Sequence, residues 1–275
     1  MSAYCLIWLF FIYGFFGWCA EVAFAAVKEH RFVNRGFLNG PICPIYGFGV
    51  AAVISLLSSY KENLVFLYIA SVIVVTVLEG ITGYLLEKIF HDRWWDYSEM
   101  PLNIGGYVCL LFSLVWGVAC VLIVEIIQPL IMKLIMVVPS WLGIILLTGL
   151  IIGILADVYV TAASILKMNR RLAVMEEVAA ELHKMSEEIG ENIYSGVMEA
   201  MDRKEEFKVK SKPFTDDVNE RVQELKRKYQ EAADNIQKQN KRIIWAFPSL
   251  KAEKGRGREA LEQLKESIKN RKHQK

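Results

Sequence analysis

Apolar positions along this chain gather into long runs near 4–27, 41–59, 63–89, 104–131 and 140–166, each broken by few charges. Crossing a bilayer core of about 30 Å takes roughly 20 helical residues. A segment surrounded by lipid must also satisfy its own backbone hydrogen bonds, which a helix does and an isolated strand does not. The pattern therefore predicts about five transmembrane helices. After Leu166 no such run exists. Instead Leu172, Met175, Ala179 and Leu182, and later Val218, Val222, Leu225 and Tyr229, step by three and four, the spacing of amphipathic helices with a coiled-coil seam. A break is expected around 210–213, and a third short helix near 258–269 after the linker at 254–257. The expected fold class is all-α: a polytopic membrane helix bundle over 1–166 and an amphipathic, coiled helical tail over 167–275. That tail either folds as an antiparallel hairpin or pairs with partner helices, a second copy of the chain included.

Ala23-Phe24-Ala25 resembles a signal-peptide cleavage site. No basic residue precedes the apolar run, however, and Glu21 interrupts its end, so the first helix is expected to be retained. Orientation follows from Lys and Arg, which favour the cytoplasmic side in short loops. Lys28, Arg31 and Arg35 follow the first run, Lys88 and Arg93 the third, and Lys167, Arg170 and Arg171 the fifth, against Lys61 and Lys133 in the alternate loops. The N-terminus is expected outside and the tail in the cytoplasm, in a multi-pass protein of the cell membrane.

Composition refines this picture only after the chain is divided. The overall 54% hydrophobic and 23% charged residues average two unlike regions, and acidic and basic residues interleave in the tail to leave a formal charge of +2. That balance gives no basic block for nucleic acid. All five cysteines lie in the apolar region, at spacings that match neither CxxC nor a zinc pattern, so free thiols are expected. The four histidines are scattered, and no metal, nucleotide or nucleophile constellation stands out. Neither a cofactor nor an enzymatic activity of the chain itself is expected.

Candidate chemistry lies in charges within or beside the apolar runs, where ionisable groups usually face a bundle interior or a water-filled cavity. Glu79 lies deepest, past the middle of the third run, with Gly83 and Glu87 on the same helical stripe. On the first run Gly14, Gly17, Trp18 and Glu21 share a face where glycines let a neighbouring backbone approach. Two readings stand open. In one, Glu21, Glu79 and Glu87 pair with Arg35 and Arg93 and pin the loops; in the other, Glu79 belongs to a polar cavity that binds a cation or a polar headgroup. Glu125 and Asp157 carry little weight.

Two loops are rich in special residues. In the first, Gly36, Gly40 and Gly47 are expected to provide unusual backbone geometry while Pro41 and Pro44 stiffen the start of the second helix. Arg35 is suited to bidentate contact with a carboxylate or phosphate. In the second loop, Trp94, Trp95 and Tyr97 suit the headgroup layer as interface anchors. Arg93, Asp96 and Asn103 beside them are expected to join Arg35 in one cytoplasmic-side site beneath Glu21 and Glu87.

The strings RGFLNGPICPIYGFG and RWWDYSEMPLNIGG, with GWCAEV before them, resemble the putative ABC-transporter permease family, type IV (CmpB-like), found as bacterial membrane proteins. The resemblance spans about Tyr4 to Leu166, and Ala246-Phe247-Pro248-Ser249-Leu250 is also similar to tails of that family. It implies a permease-like subunit in the lipid bilayer. The chain has no Walker A pattern, so ATP hydrolysis is expected from a separate ATPase subunit. The alternatives are a membrane scaffold or regulatory protein acting through its coiled tail and, third, a lipid-modifying enzyme using the loop charges. Ile243, Ile244, Trp245, Phe247 and Leu250 are expected either to pack onto the tail's own helices or to dock on a membrane surface or partner.

Overall fold

A computed structural model describes residues 1–30, 32–203, 212–252 and 257–273. Arg31, the break at 210–213 and the linker at 254–257 fall wholly or in part outside these described residues. The chain divides into two units. One comprises Met1–Ile165 with Arg242–Lys251, the other Leu166–Lys241 with Ala252–Lys275.

The first unit is built from α1 (Ala3–Glu29), α2 (Pro44–Leu57, extended by a 3-10 turn to Tyr60), α3 (Leu64–Phe90), α4 (Leu110–Leu122) and α5 (Gln128–Val137), with the beginning of α6 (Ser140–Arg203). Local chemistry fixes the ends. The Ser2 hydroxyl accepts from Cys5 N–H and the Asn63 side chain accepts from Phe66 N–H, capping α1 and α3. Both helices stop at a histidine in the left-handed region, His30 and His91, and α2 starts on Pro44, whose missing N–H costs nothing at a first helical position. A single π turn, Ile123–Ile127, links α4 to α5, so the fourth apolar run continues through Pro129 to Val137 and turns before Pro139.

Helices are long and apolar enough to cross a membrane at Ala3–Lys28, Leu64–Phe90, Leu110–Val137 and Ser140–Glu188. The second apolar run is shorter than the others, its helical part spanning Pro44–Tyr60. Residues 104–109, expected to open the fourth helix, instead form a tight antiparallel hairpin in which Asn103 faces Cys109 and Ile104 faces Val108. Gly105 and Gly106 carry its turn at φ of 61° and 76°, angles that suit glycine.

Close contact of α1 with α2 organises the bundle. A side chain at Gly17 would meet the Tyr46 ring at 2.3 Å, and one at Gly47 would meet the backbone oxygen of Phe10 at 2.4 Å. Gly36, Gly40 and Gly47 lie outside the left-handed region, which Gly105, Gly106 and Gly257 occupy. This corrects the expectation of unusual backbone geometry: Gly47 is needed for proximity. Around this contact Leu9, Tyr13, Val53, Ile54, Leu67 and Val124 bury a core shared by α1 to α4 and the π turn.

In the second unit, α6 continues past Leu166 and is followed by α7 (Lys212–Ala246) and α8 (Arg258–His273). Arg171 donates to Gln239 and Arg221 to Glu181, so the two long helices pair in opposite senses. Met168, Leu172, Met175, Leu225, Ile236 and Leu261 are buried there. Tyr229 donates to Gln263 of α8 at 2.7 Å.

Candidate functional site

The two loops meet at one end of the first unit. Phe37 of the first packs its ring 5.0 Å from Trp94 of the second. The first loop is ordered by a ladder of polar contacts: Trp18 Nε1 and Gly36 N–H donate to Asn34 Oδ1, and Asn34 Nδ2 donates to the Asn39 carbonyl. Its far side is held by Asp157 of α6. That carboxylate accepts from Asn39 N–H at 3.1 Å, Asn39 Nδ2 at 2.9 Å and Gly40 N–H at 2.7 Å. Asp157 looks ordinary in the sequence, because the loop groups it holds lie over a hundred residues away and only Thr161 is near. The same remoteness hides the role of residues 242–251, which also belong to this unit. Arg242 donates to the carbonyls of Gly36 and Phe37 at 3.0 and 3.2 Å, and Ser249 Oγ donates to the Trp94 carbonyl at 3.0 Å. The Phe247 ring stands edge-on to Trp94 at 4.7 Å.

Beneath these loops is a cavity of ≈ 350 Å³. Its polar wall holds Glu21, Arg35, Tyr46, Glu79 and Tyr97, and its roof includes Trp94, Phe247 and Ser249. Glu21 is better matched: Tyr46 OH donates to its Oε1 at 2.6 Å, and Arg35 Nε lies 3.6 Å from its Oε2 in an ion pair without a hydrogen bond. Glu79 is not matched in this way. It is 8% exposed; Tyr97 OH donates to its Oε1 at a long 3.3 Å, and Oε2 has no partner among the described residues. Burial, then the nearby Glu79 charge, pushes the Tyr97 hydroxyl above its ordinary range, so Tyr97 remains a donor. The side chain sits roughly 11 residues from the end of α3, about 16 Å along the helix. A carboxylate buried this far with one oxygen unsatisfied costs stability.

Glu87, Arg93, Asp96 and Asn103 are placed outside the cavity wall. Glu87, Arg93 and Asp96 form a separate ionic chain: Arg93 Nε is 2.8 Å from Glu87 and its NH1 3.9 Å from Asp96, while Lys251 Nζ sits 2.7 Å from Asp96. Asn103 braces the hairpin, accepting from Gly106 N–H and donating to the Met100 carbonyl. Pro41 lies in the first loop, outside the cavity wall, whereas Pro44 is part of that wall. Trp94, expected at the headgroup layer, is 3% exposed beneath Phe37 and Phe247. Trp95 is turned inward too, donating from Nε1 to the Tyr107 carbonyl at 2.8 Å. Cys43 lies on the cavity wall and is buried, a small packing residue.

The Asp96–Lys251 contact predicts a pH response. Hydrogen bonds from Lys251 and Ser98 hold the Asp96 carboxyl well below the usual range. A depressed pKa stabilises the folded form at every pH above the unfolded value, roughly 3.9, and that contribution fades as pH falls below it. Hydrogen exchange of residues 242–251, corrected for intrinsic rates, should therefore show equal protection at pH 7 and pH 5 and faster exchange below about pH 4. Loss of protection between pH 7 and pH 5 would contradict the assignment.

Long apolar helices around a cavity with a buried carboxylate define an α-helical membrane protein. More particularly, the sequence model of the putative ABC-transporter type IV family matches residues 8–162, more than half of the chain, and the chain belongs to that family. No curated protein and no solved structure matches the chain.

Proposed function

We propose that this chain is the permease-like subunit of an ABC-type transporter in the cell membrane, and that the cavity around Glu79 is its transport site. The observation that carries the reading is Glu79 itself: buried far along a membrane-length helix, facing a cavity, with an oxygen that no described residue satisfies. Intramembrane carboxylates of this kind mark substrate or proton pathways. Because the two loops follow α1 and α3 and touch each other, α2 serves as the return pass between them despite its length. That supports five crossings, and with Lys28, Arg35, Lys88 and Arg93 in or beside these two loops it supports the N-terminus outside and the tail inside. The cavity then opens toward the cytoplasm, and residues 242–251 form part of its cover. ATP hydrolysis comes from a separate subunit, since no Walker A sequence is present in the chain.

In a strain lacking the gene, full-length Glu79→Gln protein is expected to reach the membrane at a level within about twofold of wild type, because the change preserves shape. It should fail to restore the transport phenotype. Full complementation by this variant would overturn the assignment of the cavity.

A further inference from the structure

The cavity also carries information about the charge and chemical class of what enters it. Three formal charges line it, and two of them neutralise each other: Arg35 lies against Glu21, whose second oxygen is taken by Tyr46. Glu79 is left as the acid with no basic partner among the described residues, one of its oxygens unmatched. The rest of the wall is largely aromatic and aliphatic. The Tyr46 and Trp116 rings stand edge to face at 5.3 Å on one side, and Trp94, Trp95 and Tyr97 contribute from the second loop.

We infer that the cavity binds a monovalent organic cation, an ammonium group bearing apolar substituents, whose charge is held by Glu79 and whose substituents lie against the aromatic wall. This deepens the permease reading and rests on it for the step from binding to transport. A bare metal ion fits poorly. Hard cations collect six or more oxygen ligands, whereas no cluster of three or more His, Cys, Asp or Glu residues suited to a metal occurs among the described residues. An anion would meet Glu79 with Arg35 already engaged. A neutral apolar molecule would leave the buried Glu79 Oε2 without a partner. An organic cation answers both requirements, since aromatic faces attract alkylammonium groups and a desolvated carboxylate adds charge pairing. The volume of ≈ 350 Å³ falls in the range of small-molecule sites, roughly 300–1,000 Å³.

The test uses full-length protein in lipid nanodiscs and three probes of nearly equal size: benzyltrimethylammonium, its uncharged carbon isostere neopentylbenzene, and benzenesulfonate. Equilibrium binding should favour the cation over each of the others by at least about tenfold. Glu79→Gln should lose about tenfold or more for the cation alone, and Trp116→Ala should weaken it as well. Glu79→Asp, which keeps the charge, should stay within about threefold of wild type. That variant distinguishes loss of the charge from loss of the fold. Equal affinity for the neutral isostere, preference for the sulfonate, an unaltered Glu79→Gln protein, or no cation binding by wild type would each overturn the inference. Failure here is separable from failure of the permease reading. Loss of transport in Glu79→Gln without Glu79-dependent cation binding leaves a permease for another substrate, whereas cation binding with full complementation by Glu79→Gln leaves a binding site that is not a transport site.

Discussion

Gly47→Val is expected to prevent the membrane unit from assembling, with recovery of monodisperse protein falling to less than about a tenth of wild type. The reason is geometric. A Cβ at Gly47 would lie 2.4 Å from the backbone oxygen of Phe10 and 3.2 Å from its carbonyl carbon, and backbone in a facing helix cannot rotate away as a side-chain tip does. Overpacking of this kind typically costs about 1–3 kcal/mol, and a clash with helix backbone belongs at the upper end. The contact lies where α1 meets α2, so separating them also opens the core that Leu9, Val53 and Ile54 bury. Gly49→Ala, two positions along the same helix, is the control: nothing lies within 4 Å of its added Cβ. Size-exclusion profiles of fluorescent fusions should show a lost peak for Gly47→Val and a normal one for Gly49→Ala. A normal Gly47→Val profile would mean that the helices are not this close.

The second large effect is expected at Asp157. Alanine there strands the backbone N–H groups of Asn39 and Gly40 and removes the acceptor of the Thr161 hydroxyl, while the Asn39 side-chain amide keeps only Thr161. Each lost bond to a charged acceptor is worth roughly 1.5–3 kcal/mol, reduced here because the contacts are partly accessible. The first loop should come loose, and Arg35 and the Gly36 and Phe37 carbonyls that receive Arg242 should lose their placement. The melting temperature of the purified protein should fall clearly for Asp157→Ala and less for Asp157→Asn, which keeps one acceptor oxygen. Unchanged melting for Asp157→Ala would show that the carboxylate does not hold the loop.

What is legible in the sequence is what a residue's own neighbours along the chain reveal. Glu79 was legible because a charge in the middle of an apolar run is conspicuous whatever surrounds it. The glycines of α1 were legible because small residues on one helical face imply a close neighbour, and Gly14 and Gly17 do lie against Ile42 and Tyr46. Asp157 was not, since an acid near the end of an apolar run looks ordinary until its partner, Asn39, is known. Local composition favours Trp94 as an anchor in the headgroup layer. Its burial depends on Phe247, more than 150 residues downstream. For the apolar cluster of residues 243–250 the first expectation is packing on the tail's own helices, but the contacts of Phe247 and Ser249 with Trp94 are long-range pairings that periodicity cannot encode. The division near Leu166 had a different cause. Hydropathy changes sharply there, but residues 167–175 contain no glycine or proline, so the helix has no reason to stop and α6 continues to Arg203.

The central claim is that this chain is the membrane subunit of an ATP-driven transporter. Affinity purification of the full-length chain from its native membrane, followed by identification of co-eluting proteins and assay of ATP hydrolysis, tests it most directly. The account predicts a co-eluting protein that carries a Walker A motif, with ATPase activity in the eluate. Recovery of the chain without any nucleotide-binding partner, from cells in which it still confers its phenotype, would contradict it.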